Sequence, residues 1–267
     1  MSRRRLAWFA LAIGLILASG CGREEVAPGA EVTGEVVVSA ASSLTEAFTE
    51  IARAFEAQHP GTRVTLNFGS SAALATQINE ASPVDVFASA DRAQMDAVEA
   101  GRKAAPAVVF AQNRLVIAKP KGTKAVATYP DLARPGLKIV LAADGVPVGN
   151  YALQSLAAAE RSGAFGTGFQ ARVLANVRSR EANVRAVLAK VQLGEADAAI
   201  VYATDLAAAP EVEGVPIPDA YNISAGYLVA PLTGGRNAAA GRAFVAFVLG
   251  PEGQASLVGR GFTIPSR

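Results

Sequence analysis

The chain has 267 residues, of which 51% are hydrophobic and 18% charged. This composition excludes a disordered protein and suits one large domain or two compact lobes. Its formal charge is +2 at pH 7, and removing residues 1–20 takes away three arginines and no acid, which leaves −1. Because no run of lysine or arginine follows that segment, we expect no nucleic-acid partner.

The first 20 residues have the layout of a secretory signal peptide. Three arginines at positions 3–5 precede an apolar stretch at 6–18, and small residues follow. The apolar stretch is too short for a comfortable membrane span. We therefore predict export to the periplasm or cell surface, and an uncleaved N-terminal anchor is the alternative.

Cys21 is the only cysteine, so it cannot form a disulfide within the chain. It directly follows Ser19 and Gly20 in an arrangement similar to a bacterial lipobox, although Ala18 stands where leucine is usual. We predict that Cys21 is acylated, which holds the protein at a membrane without spanning it. Residues 21–34 then form the lipidated cysteine and a flexible tether rich in Gly, Pro and Glu. A plain signal peptide with an incidental cysteine is the alternative.

The first half of the body alternates strand and helix patterns. We predict strands at 36–38, 64–68 and 84–88 from short apolar runs, and helices at 44–58 and 72–81 from apolar residues at helical spacing. This β-α-β-α-β series is typical of a parallel sheet covered by helices.

A second series follows later in the chain. We predict strands at 137–142 and 198–202, and helices at 151–159 and 184–192. Apolar segments at 113–119 and 223–230 lie between the two series and are interpreted as crossover segments. Helices at 238–249 and 253–258 are expected to return to the first lobe.

These patterns predict an α/β protein of two lobes with a ligand cleft between them. The first lobe is expected to contain residues 35–114 and 229–267, and the second residues 115–228. In open α/β sheets, ligands bind beyond the carboxyl ends of the strands, where the following helices begin. Candidate site residues are therefore sought at those turns.

Serines occupy the first two of these turns. Ser43 and Glu46 have the spacing of a capping box at the start of the first helix. Ser70 and Ser71 follow Gly69, a residue that allows close approach of the backbone to a ligand. Each pattern fits an ordinary helix cap as well as an anion site.

The later turns add backbone and phenol donors. Free N–H groups are expected near Val148 and at Val184, the start of another helix, and Tyr202 ends a strand where its hydroxyl can face the cleft. Several helix N-termini, each with unpaired N–H groups and a partial positive charge, can bind an anion without lysine or arginine. Arg185 is the only basic residue in these turns.

Eight segments together resemble the ModA-type molybdate-binding proteins of ABC transporters. They are SAASSLT (39–45), FGSSAALA (68–75), VDVFASAD (84–91), NRLV (113–116), VPVGNYA (146–152), NVR (183–185), GEADAAIVYATD (194–205) and GFTI (261–264). The resemblance spans almost all of residues 36–264. It implies a type II periplasmic-binding-protein fold, capture of molybdate or tungstate by neutral hydrogen bonds, and delivery to the membrane permease of an ABC importer. It also implies a monomer that is not an enzyme, has no cofactor and holds molybdenum only as the oxyanion.

The resemblance assigns five ligand-binding positions. Hydroxyl and backbone donors come from Ser43 and Ser71, backbone N–H groups from Val148 and Val184, and a phenol from Tyr202. Val148 stands where the family often has alanine, and the stretch 161–182 is longer than usual. Glu181 lies close to the turn that opens the helix at Val184, where an acid would repel a dianion unless it points away or coordinates the metal directly.

Two alternatives remain at this point. The first is a receptor for sulfate or another tetrahedral oxyanion, because size selectivity depends on pocket dimensions that a sequence does not reveal. The second is a serine hydrolase with Ser43 or Ser71 as nucleophile. It lacks a base, since His59, the only histidine, falls at the far end of the first helix, and no G-x-S-x-G motif is present.

Overall fold

The computed structural model describes residues 32–101 and 103–265. The predicted signal peptide, Cys21 and the tether up to residue 31 lie outside the described residues. In chain order the strands are β1 (Gly34–Ala41), β2 (Thr62–Gly69), β3 (Val86–Ser89), β4 (Val108–Asn113), β5 (Leu115–Pro120), β6 (Ile139–Ala142), β7 (Val177–Glu181), β8 (Ala198–Tyr202), β9 (Val212–Pro216) and β10 (Ala225–Pro231). The α-helices are α1 (Thr45–Gln58), α2 (Ser71–Asn79), α3 (Arg92–Ala100), α4 (Pro147–Ser162), α5 (Phe169–Ala175), α6 (Val184–Gln192), α7 (Ala238–Leu249) and α8 (Pro251–Gly259).

The strands form two mixed five-stranded sheets. The first has the order β2-β1-β3-β10-β4, with β1 parallel to β2 and β3 and with β10 antiparallel to β3 and β4. The second has the order β7-β6-β8-β5-β9, with β6 parallel to β7 and β8 and with β5 antiparallel to β8 and β9. The two predicted β-α-β series therefore each form the parallel part of one sheet, and the predicted α/β fold class is confirmed.

Two crossings connect the sheets. Only Arg114 separates β4, in the first sheet, from β5, in the second, and residues 217–224 lead back from β9 to β10. The second lobe boundary expected from the sequence, after residue 228, falls inside β10. The ladder of β10 with β4 starts at Ala225, opposite Asn113, so the whole strand belongs to the first sheet.

Apolar helix faces cover both sheets. On α1 the residues at helical spacing, including Phe48, Ile51 and Phe55, are all fully buried, which explains why this segment is a helix. Phe55 packs edge-on against Phe244 of α7 at 5.2 Å between ring centroids. In the second lobe Tyr129, from the 3-10 helix Tyr129–Ala133, packs against Phe165 and Phe169 at 5.9 Å and 5.6 Å between ring centroids. None of the helices in the described ranges combines the length and hydropathy that a membrane span requires.

Candidate functional site

All five residues predicted for the site line one cavity. Its walls come from the turns that follow β1, β2, β3 and β6, from the start of α6 and from the end of β8. The lining residues are Ala41, Ser42, Ser43, Gly69, Ser70, Ser71, Ala90, Val146, Pro147, Val148, Val184 and Tyr202. Every one of these side chains is neutral, and both lobes contribute.

Ser43 reaches the cavity from a short 3-10 turn, Ser42–Leu44, that follows β1. The predicted capping box is wrong, because this turn moves the start of α1 downstream and makes Leu44 its N-cap, with no side-chain cap bond. The Ser43 hydroxyl instead lies 2.8 Å from the hydroxyl of Tyr227. Glu46 forms an ion pair with Arg185.

The two serines of the second turn have different partners. Ser70 is the N-cap of α2, and its Oγ accepts a hydrogen bond from the N–H of Ala73 at 3.2 Å. Ser71 Oγ accepts from the N–H of Ala90 at 2.9 Å. Because a backbone N–H can only donate, the hydroxyl hydrogen of Ser71 remains available for an acceptor in the cavity.

The third turn supplies backbone donors at the start of α4. Val146 is the N-cap and Pro147 the first helical residue, so Val148 and Gly149 carry N–H groups that have no acceptor within the helix. A Cβ on Gly149 would lie 2.7 Å and 2.8 Å from two carbonyl oxygens at the end of β6. Only glycine therefore allows α4 to begin this close to the strand.

The fourth turn opens α6, which begins at Val184 as predicted. The side chain of Asn183 caps the helix by accepting from the N–H of Ala186 at 3.0 Å, and this leaves the N–H of Val184 for another acceptor. Glu181 accepts a hydrogen bond from Ser179 Oγ at 2.8 Å and is not among the lining residues.

Tyr202 places a phenol at the cavity from the end of β8. The side chain is 1% exposed, and its hydroxyl has no hydrogen-bond partner among residues 32–101 and 103–265. Burial raises the pKa of the Tyr202 phenol well above its ordinary value, so the group keeps its proton at neutral pH. The Tyr202 hydroxyl is therefore a buried donor that can form a hydrogen bond to an acceptor in the cavity.

A charged cluster of Arg185, Glu46 and Asp205, which was not predicted from the sequence, lies beside the cavity. The guanidinium of Arg185 on α6 donates to the backbone oxygen of Ser42 at 3.2 Å, pairs with Glu46 on α1 and lies 3.3 Å from Asp205. Asp205 is fully buried, and this burial raises the pKa of its carboxyl to about 7, because it outweighs Arg185 and the N–H of Tyr202. The lone arginine of the fourth turn was the only sequence signal for this cluster.

A hydrolytic arrangement around the serines is not supported by the geometry. His59 follows the C-terminal end of the 14-residue helix α1, about 20 Å along the helix from Ser43. Its ring stacks on Phe55 at 4.1 Å between centroids, and Nδ1 lies 2.9 Å from the Phe55 carbonyl oxygen. In the part of the chain that the structure describes, no cluster of His, Cys, Asp or Glu could hold a metal ion.

Proteins of similar sequence align with most of the chain. Residues 36–263 match the family model described as bacterial extracellular solute-binding protein. The molybdate-binding protein ModA of Mycobacterium tuberculosis is 38% identical, over 97% of this chain and 99% of its own length. The protein of the same name from Escherichia coli is 33% identical, over 86% of this chain and 90% of its own.

Solved structures share the fold at lower identity. The periplasmic molybdate-binding protein of Azotobacter vinelandii superposes with a TM-score of 0.74 at 21% identity, over 86% of this chain and all of that one. The sulfate-binding protein SubI of M. tuberculosis gives 0.77 at 19% identity, over 86% of each chain. The fold is thus that of the type II periplasmic binding proteins, and the chain belongs to the family of bacterial extracellular solute-binding proteins, among its ModA-type members.

Proposed function

We propose that this protein captures molybdate or tungstate outside the cytoplasm and delivers it to the membrane permease of an ABC importer. The observation that carries the proposal is the donor set of the cavity. Ser43, Ser71, Val148, Val184 and Tyr202 converge there, and every lining side chain is neutral.

This donor set fits a fully deprotonated tetrahedral oxyanion. Such an ion accepts hydrogen bonds and donates none, so each donor finds an acceptor while a carboxylate in the wall would repel it. The starts of α2, α4 and α6 add the partial positive charge of helix N-termini. Hydrogen bonds to the ion are strengthened because the site is buried and its local dielectric is low.

The relatives support molybdate over sulfate. The ModA proteins of M. tuberculosis and E. coli, named for molybdate binding, match most of this chain at 38% and 33% identity. The sulfate-binding protein SubI matches at 19%, a level at which only the fold is shared. Sulfate is therefore the second candidate ligand.

The remaining parts of the proposal concern location and partners. Membership of an extracellular solute-binding family supports export and a role in binding rather than catalysis. We propose that the protein is a monomer in which residues 35–114 and 225–267 form one lobe and the segment between them forms the other. We also propose that acylated Cys21 anchors the protein to a membrane. Metabolic labelling with a palmitate analogue should mark the wild type and not Cys21→Ala, and labelling of both would refute acylation at Cys21.

Isothermal titration of the purified protein with molybdate, tungstate and sulfate tests the ligand. We expect tight binding of the first two and sulfate binding weaker by at least about a hundredfold. Ser71→Ala should weaken molybdate binding about tenfold or more, as expected for a hydrogen bond to a charged group. The matched control Ser256→Ala, on α8 and outside the cavity lining, should leave binding unchanged. Equal affinity for sulfate would remove molybdate from the proposal, and no binding of any of the three would refute oxyanion capture.

A further inference from the structure

A buried tyrosine contacts Ser43 without lining the cavity. Tyr227 lies on β10 and is 0% exposed, and its hydroxyl oxygen is 2.8 Å from Ser43 Oγ. Tyr227 is not among the residues that line the cavity. It therefore contacts a candidate ligand-binding group without itself facing the ligand.

The ring of Tyr227 is held in place from three sides. It packs edge-on against Phe262 at 5.3 Å and Phe110 at 6.4 Å between ring centroids, and against Tyr202 at 5.7 Å. A ring fixed in this way sets the position of its hydroxyl to within a small range. The packing of the Tyr227 ring therefore holds its hydroxyl next to Ser43.

The direction of the hydrogen bond follows from the groups around it. Burial raises the pKa of the Tyr227 phenol far above its ordinary value, so the phenol carries a proton to donate. The side chain of Asn113 is engaged elsewhere, since it donates to Thr204 Oγ1 at 2.8 Å and accepts from the N–H of Arg114 at 2.9 Å. If Ser43 donated to Tyr227, the buried phenol hydrogen would have no acceptor among the hydrogen bonds of the described residues, which is costly. If Tyr227 donates to Ser43 Oγ, the phenol hydrogen is satisfied and the Ser43 hydrogen is left for the cavity.

We propose that Tyr227 is a positioning residue for anion binding, which donates to Ser43 Oγ and so directs the Ser43 hydroxyl hydrogen into the cavity. A serine hydroxyl can donate or accept, and a donor placed behind it leaves its own hydrogen for the opposite side. The N–H of Ala90 has the same relation to Ser71, at 2.9 Å. The hydroxyls of Ser43 and Ser71, the two serines predicted to bind the ligand, are thereby set as donors to an ion that only accepts.

This inference rests on the proposed function, and a double-mutant cycle on the full mature protein tests it. The dissociation constant for molybdate is measured for wild type, Tyr227→Phe, Ser43→Ala and the double variant. The Phe substitution keeps the ring and removes only the hydroxyl, so we expect about fivefold to tenfold weaker binding. Because Tyr227 acts through Ser43, adding Tyr227→Phe to Ser43→Ala should weaken binding less than twofold.

A second buried Tyr–Ser pair provides the matched control. Tyr129 and Ser155 are 1% and 0% exposed, and their hydroxyl oxygens lie 2.9 Å apart. Neither lines the cavity, and Ser155 lies seven residues, or about 10 Å, along α4 from Val148. Tyr129→Phe should lower the unfolding temperature about as much as Tyr227→Phe and leave the molybdate affinity unchanged.

The outcomes separate this inference from the proposed function. Equal weakening by Tyr227→Phe with and without Ser43, or no weakening at all, would overturn the positioning role. So would a loss of affinity in Tyr129→Phe as large as that in Tyr227→Phe, since it would trace both losses to stability. A wild type that binds only sulfate would refute molybdate as the ligand, and the same cycle measured with sulfate would still decide the role of Tyr227. A wild type that binds none of the tested anions would refute both.

Discussion

Replacing Tyr202 with Phe should weaken ligand binding without destabilising the unliganded protein. The hydroxyl of Tyr202 is buried and has no partner among the described residues, so its removal breaks no hydrogen bond within them. The bound oxyanion, by contrast, loses one donor. Loss of ligand affinity without loss of stability in the unliganded protein therefore distinguishes a ligand-binding phenol from a structural one.

The size of the effect follows from the kind of hydrogen bond that is lost. A hydrogen bond to a charged group contributes about 1.5–3 kcal/mol, and about 1.4 kcal/mol corresponds to a tenfold change in affinity. Tyr202→Phe should therefore weaken molybdate binding by about 10- to 150-fold. An unpaired buried hydroxyl is itself costly, so the unliganded variant should be at least as stable as the wild type.

Urea unfolding with and without molybdate measures both effects together. At a molybdate concentration of about 100 times the wild-type dissociation constant, the ligand should add about 2.7 kcal/mol to the stability of the wild type and between about 0.3 and 1.4 kcal/mol to that of Tyr202→Phe. Tyr129→Phe, which removes a paired hydroxyl away from the cavity, should keep the full ligand stabilisation. Equal stabilisation of Tyr202→Phe and wild type would refute the assignment of Tyr202 as a donor to the ligand.

Three further substitutions probe the turns and the buried acid. Gly149→Ala should lower the free energy of unfolding in urea by about 1–3 kcal/mol or more, because its Cβ would overlap carbonyl oxygens at 2.7 Å and 2.8 Å, and an unchanged value would contradict the close approach of α4 to β6. Val148→Ala should lower stability by about 1–2 kcal/mol through lost apolar burial, yet change molybdate affinity less than about threefold, since only its N–H faces the ion; a larger loss of affinity would contradict a backbone role. Asp205 loses its proton near its ordinary pKa of 3.8 in the unfolded chain and at about 7 in the folded one, so its contribution to stability is full below pH 4 and is lost as the pH rises to about 7. Asp205→Asn should remove this part of the pH dependence in urea unfolding measured from pH 4 to 8, and an unchanged slope would contradict it.

The strongly periodic segments were the most predictable parts of the fold. The bounds of α6, α7 and β8 agree with those expected from the sequence, because each is an apolar pattern of one period with clear ends. The edge strand β7 was not predicted, because three of its five residues, VRSRE, are charged and it has no apolar run. The helices α3 and α5 were not predicted either, because each buries only two residues, whereas α6 buries four at helical spacing.

The donors of the candidate site were predictable because parallel strands bring their carboxyl ends to one edge of a sheet. Residue types at those turns indicated where a site could lie, and the resemblance to ModA-type proteins selected the five positions, all of which line one cavity. The local geometry was not predictable. The spacing of Ser43 and Glu46 fits a capping box, but Ser43 lies in a 3-10 turn that precedes α1. The side chain of Ser43 contacts Tyr227 and that of Glu46 pairs with Arg185, both far away in sequence. The partner of Ser43, Tyr227, is 184 residues away in sequence, and no local pattern connects the two.

The position of Arg185 explains how a site beside a guanidinium remains a site of neutral donors. A free arginine in the cavity wall would attract anions of every shape, because Coulomb attraction depends little on geometry. Here the guanidinium is engaged by Glu46, by the backbone oxygen of Ser42 and by the nearby Asp205, and it is not among the lining residues. Through these contacts Arg185, on α6 of the second lobe, connects to α1 of the first lobe and to the 3-10 turn that precedes α1. What remains in the cavity are hydroxyl and N–H donors whose strength depends on distance and angle, so the fit of a tetrahedral ion to these donors, rather than its charge alone, decides what binds.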